Sequence, residues 1–180
     1  MNLGILEGIS IEKGKELLAL PTAKALAELH FSSEISVVEI NPEFSDTATF
    51  CEQYQIQPNQ AANCVIIETR RGEKSQFVAC VVLATTRADV NGLVRRHLDA
   101  RKASFASMDS AVSLTGMEYG AITPIGLPND WPILIDSAVA QSPGVIIGSG
   151  IRKSKLIVTG KTLASLPNAT ILEGLGQMRS

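Results

Sequence analysis

SLTGMEYGAITPIGLP, residues 113–128, holds three glycines and two prolines, and apart from Glu118 its side chains are small, apolar or hydroxyl-bearing. A surface loop is normally more polar than this, and a helix or strand carries fewer residues that break regular structure. Gly116 suits the position just past a helix end, so the stretch opens as the exit of a helix that Ser107 caps. Beyond it, glycine lets the backbone come close to a neighbour and Pro124 keeps the chain stiff. That composition fits either a packed core loop or a surface left open to a ligand.

The flanks set the architecture around this stretch. Upstream, ANCVIIET (62–69) and SQFVACVVLA (75–84) are β-branched apolar runs joined by RRGEK, whose Gly72 and charges suit a hairpin turn. ISVVEI (35–40) reads as a strand, and a helix opens near Ser45 or Asp46. Val90, Val94 and Leu98 fall at helical spacing in a segment predicted as helix over 88–101. At the start, Ser10 is placed to cap a helix through residue 20, Pro21 interrupts it, and a second piece runs from Thr22 to His30. Downstream, residues 131–139, 144–150, 155–160 and 169–174 read as strands, with a helical turn between the last two. Helices and strands do not alternate regularly. The expected class is therefore α+β, a mixed α/β fold with a central mixed sheet and flanking helices.

A length of 180 residues suits one domain over 1–180, with residues 1–30 as a helical amino-terminal extension and 31–178 as the core. Only 4% of residues are aromatic, so the core must be built from Ala, Val, Ile and Leu. A net charge of −2 argues against wholesale wrapping of nucleic acid but leaves room for a local basic patch. Cys51, Cys64 and Cys80 lack CxxC spacing and read as small hydrophobes in a reducing compartment. No export leader or membrane-length apolar run is evident, so a cytoplasmic protein without membrane contact is expected.

Most motif-like fragments have a plain reading. Gly160-Lys161-Thr162 lacks the glycine five residues earlier that a phosphate loop needs, because position 155 is lysine. His30 and His97 stand on separate helical segments without converging ligands, so no metal and no cofactor is expected. The basic residues do cluster. Arg87, Arg95, Arg96, Arg101 and Lys102 surround one segment, and Arg152, Lys153 and Lys155 follow Gly150. Each group is either a solvated face or a short grip on phosphates.

Residues 114–127, LTGMEYGAITPIGL, resemble the tG-x-x-x-G-x-x-x-P-x-G loop of the YbaK/prolyl-tRNA synthetase-associated domain family of aminoacyl-tRNA editing domains. Pro132-Ile133-Leu134-Ile135-Asp136 is similar to that family's strand ending in Asp. Gly148-Ser149-Gly150-Ile151-Arg152 resembles its turn before a strand. Asn41-Pro42, Gln57-Pro58 and the segment from Arg87 to Asn91 match in the same order, so the resemblance spans roughly residues 30–177.

The resemblance implies a deacylase that hydrolyses the ester of a mischarged tRNA carrying a small amino acid. Its partner would be the tRNA acceptor end, and a homodimer is compatible with it. Asn63, Gly120 and Asp136 fall at the positions implied as catalytic. Ala121, Ile122, Pro124, Gly126, Ser149, Gly150 and Arg152 fall at those implied as substrate-binding. Backbone N–H groups would receive the carbonyl oxygen, and a ribose hydroxyl would assist the water, so no side-chain nucleophile is demanded. One position departs from the family pattern: Asn63 stands where a lysine is expected early in the first hairpin strand. Asn donates a hydrogen bond without positive charge. Either the match is shifted, or a cation such as Lys74 or Arg152 takes over, or the chain binds its ligand without hydrolysing it.

Overall fold

Two ten-residue strands, apolar and rich in β-branched residues along most of their length, form the centre of the molecule. The computed structural model describes residues 1–178. Three two-residue strands, β1 (Asn2–Leu3), β2 (Leu6–Glu7) and β3 (Ile9–Ser10), precede helix α1 (Leu20–Glu28). Strand β4 (Ser36–Glu39) and helix α2 (Thr47–Gln53) lead to the long hairpin of β5 (Ala62–Arg71) and β6 (Lys74–Leu83). Next come β7 (Thr86–Ala88), helix α3 (Arg95–His97), β8 (Lys102–Phe105) and helix α4 (Met108–Thr115). The last third holds β9 (Ile133–Asp136), α5 (Ser137–Ala140), β10 (Val145–Gly148) and β11 (Ser154–Val158). Helix α6 (Gly160–Ala164) and strands β12 (Ala169–Leu172) and β13 (Gly176–Met178) follow.

The main sheet has the order β12-β9-β6-β5-β8, parallel across β12, β9 and β6 and antiparallel across β6, β5 and β8. A second, antiparallel sheet has the order β10-β11-β4-β3. The mixed sheet expected from the sequence is present. Ala61 bridges to Ile146, so the start of β5 meets the second sheet. β6 is buried on both faces: Ala79 and Val81 join one core cluster, and Val78, Cys80 and Val82 another. This double burial explains the unbroken apolar run in its sequence. Each fully buried Leu or Ile here contributes roughly 1.5–3 kcal/mol relative to exposure.

Apart from residues 137–139, which form helix α5 rather than the end of a strand over 131–139, two expectations change. Residues 1–30 are not one helical run: 2–10 form short strands, Lys15–Leu17 make a single 3₁₀ turn, and only Leu20–Glu28 is α-helical. Gly14 packs directly against Val37 and Ile9, leaving no room there for a side chain. Pro21 occupies the first turn of α1 rather than interrupting it, since its missing N–H is unpaired there anyway. β3 pairs with β4, and Leu17, Leu18 and Leu26 enter the main core. The second change concerns 88–101. Residues 86–88 pair with β13, and the helical part begins as a π turn, Val90–Val94, that Asp89 caps. Asp99 has φ +50, and residues 102–105 then form the edge strand β8. Val90 and Val94 are buried all the same, so the apolar spacing reported burial correctly while overstating length.

The helix capped by Ser107 and ended by Gly116 is present, with Gly116 left-handed at φ +67. Among the described residues, no helix is long and apolar enough to cross a membrane.

Candidate functional site

Where β5 leaves the first sheet and meets the second, the backbone opens a cavity of about 380 Å³. Ser45, Asp46 and Thr47 form one side at the start of α2. Residues 62–66 of β5 form a second. Tyr119, Gly120 and Ile122 close a third, and Ala106 and Ala111 complete the apolar lining. The loop of residues 117–122 is held in place by its own backbone. Ala121 N–H donates to Glu118 C=O, Gly150 N–H to Ala121 C=O at 2.8 Å, and Glu118 N–H to Gly150 C=O at 2.9 Å. These bonds leave the Gly120 and Ile122 N–H groups without a partner among the described residues. Gly120 has φ +85, a conformation that favours glycine, and a methyl group placed on it would meet only the Arg152 guanidinium, at 3.7 Å. The loop is therefore open to the cavity at Gly120.

The cavity holds a cation that the sequence reading placed in a surface cluster. Lys155, on β11, is only 8% exposed and lines the cavity. Its Nζ donates to the Ser45 carbonyl at 3.2 Å and stands 5.3 Å from the centre of the Phe50 ring. Burial pushes its ammonium pKa down from 10.5 to about 8, Arg152 adds a smaller push in that direction, and Cys51 and Asp46 oppose it. Among the described residues no carboxylate forms an ion pair with it. A buried charge held outside an ion pair costs stability, and groups perturbed in this way cluster at functional sites.

Asp46 faces the same space. Its Oδ1 accepts from the Ala48 and Thr49 amides as the cap of α2, and hydrogen bonding from Thr49 holds its carboxyl below the usual range. Asn63 lies between α2 and the cavity. Thr47 donates its hydroxyl to Asn63 Oδ1 at 2.9 Å, which leaves the Asn63 amide N–H groups to point elsewhere.

Of the ten residues singled out from sequence, Asn63, Gly120 and Ile122 line this cavity and Arg152 borders it at Gly120. Ala121 is buried behind the wall and contributes its carbonyl to Gly150. Ser149 is fully buried; its hydroxyl bonds with Ser154 Oγ and donates to backbone carbonyls within the turn. Gly150, at φ +89, is packed between Ala19, Thr22 and Met117. Pro124 and Gly126 face away, lining a separate groove against α1. Asp136 is buried at the end of β9 and accepts from Gly176 N–H at 3.1 Å, tying β13 down. Lys74 pairs with Arg71 at the hairpin tip while Asn63 pairs with Val82 at the base. At about 3.3 Å per residue that tip lies more than 20 Å from Asn63, too far to serve it. The cation that the structure does place in this cavity is Lys155. Its only sequence signal was a charged residue at the start of an apolar strand, which a solvated strand end would also give.

Comparison with known proteins agrees with this geometry. Residues 41–166 match the family described as the aminoacyl-tRNA editing domain. Among solved structures, one reported as a candidate trans-editing enzyme for prolyl-tRNA synthetase is 20% identical, with TM-score 0.75, covering 88% of this chain and 96% of that one. A designed scaffold for presenting linear epitopes is also 20% identical, with TM-score 0.75 and coverage of 88% and 97%. A hypothetical protein at 16% identity has TM-score 0.72 and coverage of 86% and 95%. These likenesses establish a shared fold. No curated protein matches the chain.

Proposed function

Because the chain belongs to the aminoacyl-tRNA editing domain family, we propose that it hydrolyses the ester of a tRNA mischarged with a small amino acid, acting in trans on the tRNA acceptor end. The observation that carries this reading is Lys155, a buried ammonium in no ion pair among the described residues, opening into the cavity beside the Gly120 wall. In the reaction a water attacks the ester carbonyl carbon, negative charge develops on the carbonyl oxygen, and the ribose hydroxyl leaves. Lys155 supplies a charged donor for that oxygen, and the unpartnered Gly120 and Ile122 N–H groups supply neutral ones. The adjacent ribose hydroxyl positions the water and relays its proton to the leaving ribose oxygen as the ester C–O bond breaks, so no side chain becomes covalently attached. Asp46, with Oδ2 not used in capping, receives the α-ammonium of the aminoacyl group. Ala62, Cys64, Ala106, Ala111 and Ile122 shape the remainder of a space that must also hold part of the terminal ribose, which favours a short side chain.

On this reading Asn63 is a neutral donor beside a relocated cation rather than the loss of the site. The chain works as one unit, in the cytoplasm where charged tRNA is found, and requires no metal or cofactor. The test is a panel of tRNAs, each charged with a cognate or non-cognate amino acid, incubated with the purified protein. Hydrolysis confined to one or a few small-residue esters is expected. Tight binding across the panel without hydrolysis would replace the enzyme by a binding module.

A further inference from the structure

The five Phe, two Tyr and one Trp of this chain divide sharply by environment. Phe44 and Phe50 pack on Tyr54, Phe77 stacks on Trp131 with centroids 5.3 Å apart, and Phe31 lies against the main core. Phe105 and Tyr119 remain. They are 61% and 55% exposed, and among the described residues neither has a ring partner. Both lie on the lining of the same cavity, the one that holds Lys155. A chain this poor in aromatics gains nothing for its core from two solvent-facing rings, and exposing them has a hydrophobic cost.

We propose that Phe105 and Tyr119 form a stacking platform for the unpaired 3′-terminal base of an RNA whose terminal ribose carries the ester into the cavity. The inference rests on the tRNA-end reading above and names the surface that reading leaves undefined. Charge on either side fits this occupant. On one side, exposed Arg101 immediately precedes the edge strand that Phe105 ends, roughly 13 Å away at a strand rise of about 3.3 Å per residue, while Lys102, three residues from Phe105, projects from the opposite face of that strand. On the other side, exposed Arg152 is fixed beside Tyr119–Gly120. Its backbone N–H donates to Glu118 Oε1 at 2.8 Å, and its guanidinium reaches the Pro42 carbonyl. A nucleotide offers a flat π-face to the rings and phosphates to the flanking cations, which is how single-stranded ends are held without base readout. An apolar peptide would use the rings but leave the cations idle.

The test uses the full chain and an uncharged acceptor-stem RNA hairpin with 2-aminopurine as its unpaired 3′-terminal base, whose fluorescence is quenched on stacking. The wild-type protein quenches it on binding. Phe105→Leu and Tyr119→Leu keep the apolar bulk but remove the π-face, and each is expected to lose the quench and weaken binding about tenfold. Phe105→Tyr and Tyr119→Phe are expected to retain both. Since both positions are exposed, melting temperatures report whether any loss comes from misfolding. Leucine variants that bind and quench like the wild type overturn the platform and leave the editing reading intact. A wild-type protein that neither binds the hairpin nor deacylates any mischarged tRNA overturns both.

Discussion

The loop after α4 has two halves of nearly the same composition, and they meet different things. In the first, Tyr119, Gly120 and Ile122 border the cavity that contains Lys155. In the second, Pro124, Gly126 and Leu127 lie against α1 and near Trp131. Both central glycines have positive φ, +85 at Gly120 and +96 at Gly126. A methyl group on Gly126, however, would stand 2.6 Å from the Pro21 carbonyl oxygen, whereas on Gly120 it would find only the Arg152 guanidinium, at 3.7 Å. A breaker-rich apolar stretch thus reports that something approaches the backbone closely. Whether the approaching group is a ligand or the protein's own chain depends on α1, which lies about a hundred residues earlier.

Substitutions should separate the two halves. The largest effect is expected on the cavity side: Lys155→Met should lower single-turnover deacylation of a susceptible mischarged tRNA by about 100-fold or more, the scale of losing one charge-stabilising donor. The same variant should melt at a higher temperature. The folded pKa of about 8 lies below the ordinary 10.5, so the folded state resists protonation and Lys155 destabilises it at any pH below about 8. The penalty, on the order of 3 kcal/mol before the Ser45 hydrogen bond offsets part of it, fades as pH rises from about 8 to 10.5. The stability advantage of Lys155→Met should shrink over that window. A variant that loses both activity and stability would show that Lys155 is part of the packing instead.

Next in size is Gly126→Ala. Strain at positive φ and the Pro21 contact should together destabilise the protein by about 3 kcal/mol in urea unfolding. Gly120→Ala should be milder for the fold, about 1 kcal/mol, but should slow deacylation about tenfold by tilting the wall's N–H groups. If the two alanine variants behaved alike, the distinction between the halves would fail. The smallest effect is a rescue: Asn63→Lys in the Lys155→Met background should recover about tenfold of the lost rate, because it returns a cation to the same cavity from β5. In the wild-type background the second cation should face Lys155 and give no gain.

Much of this fold was legible locally. The β5–β6 hairpin follows from two apolar runs around Gly72, and α4 from Ser107 and Gly116, because strand periodicity and caps act over a few residues. The two-residue strands at the amino terminus were not legible, since β3 exists only through its pairing with β4. The same holds for β8, which falls between the helix expected over 88–101 and the one capped by Ser107 and exists through its pairing with β5. Half of the wall was legible at the site: Gly120 and Ile122 face the cavity, and Asn63 sits across from them. Asp136, Ser149 and Gly150 carry motif positions but use their polar groups or conformation to hold the chain together. Lys155 escaped because its role comes from the Ser45 carbonyl and the Phe50 ring, contributed by a segment more than a hundred residues away. Its near neighbours, Arg152 and Lys153, are exposed, so charge and spacing alone do not distinguish the buried member of the group.

The most direct test of Lys155 as the working cation is the pH dependence of deacylation, taken as the ratio of catalysed to uncatalysed rate from pH 6.5 to 9.5. In the wild type the ratio should fall through about pH 8 as the ammonium loses its proton. In Lys155→Arg, whose guanidinium stays charged throughout, any remaining activity should show no such fall. A wild-type ratio that holds level or rises to pH 9.5, or a fall shared equally by both proteins, would contradict the assignment.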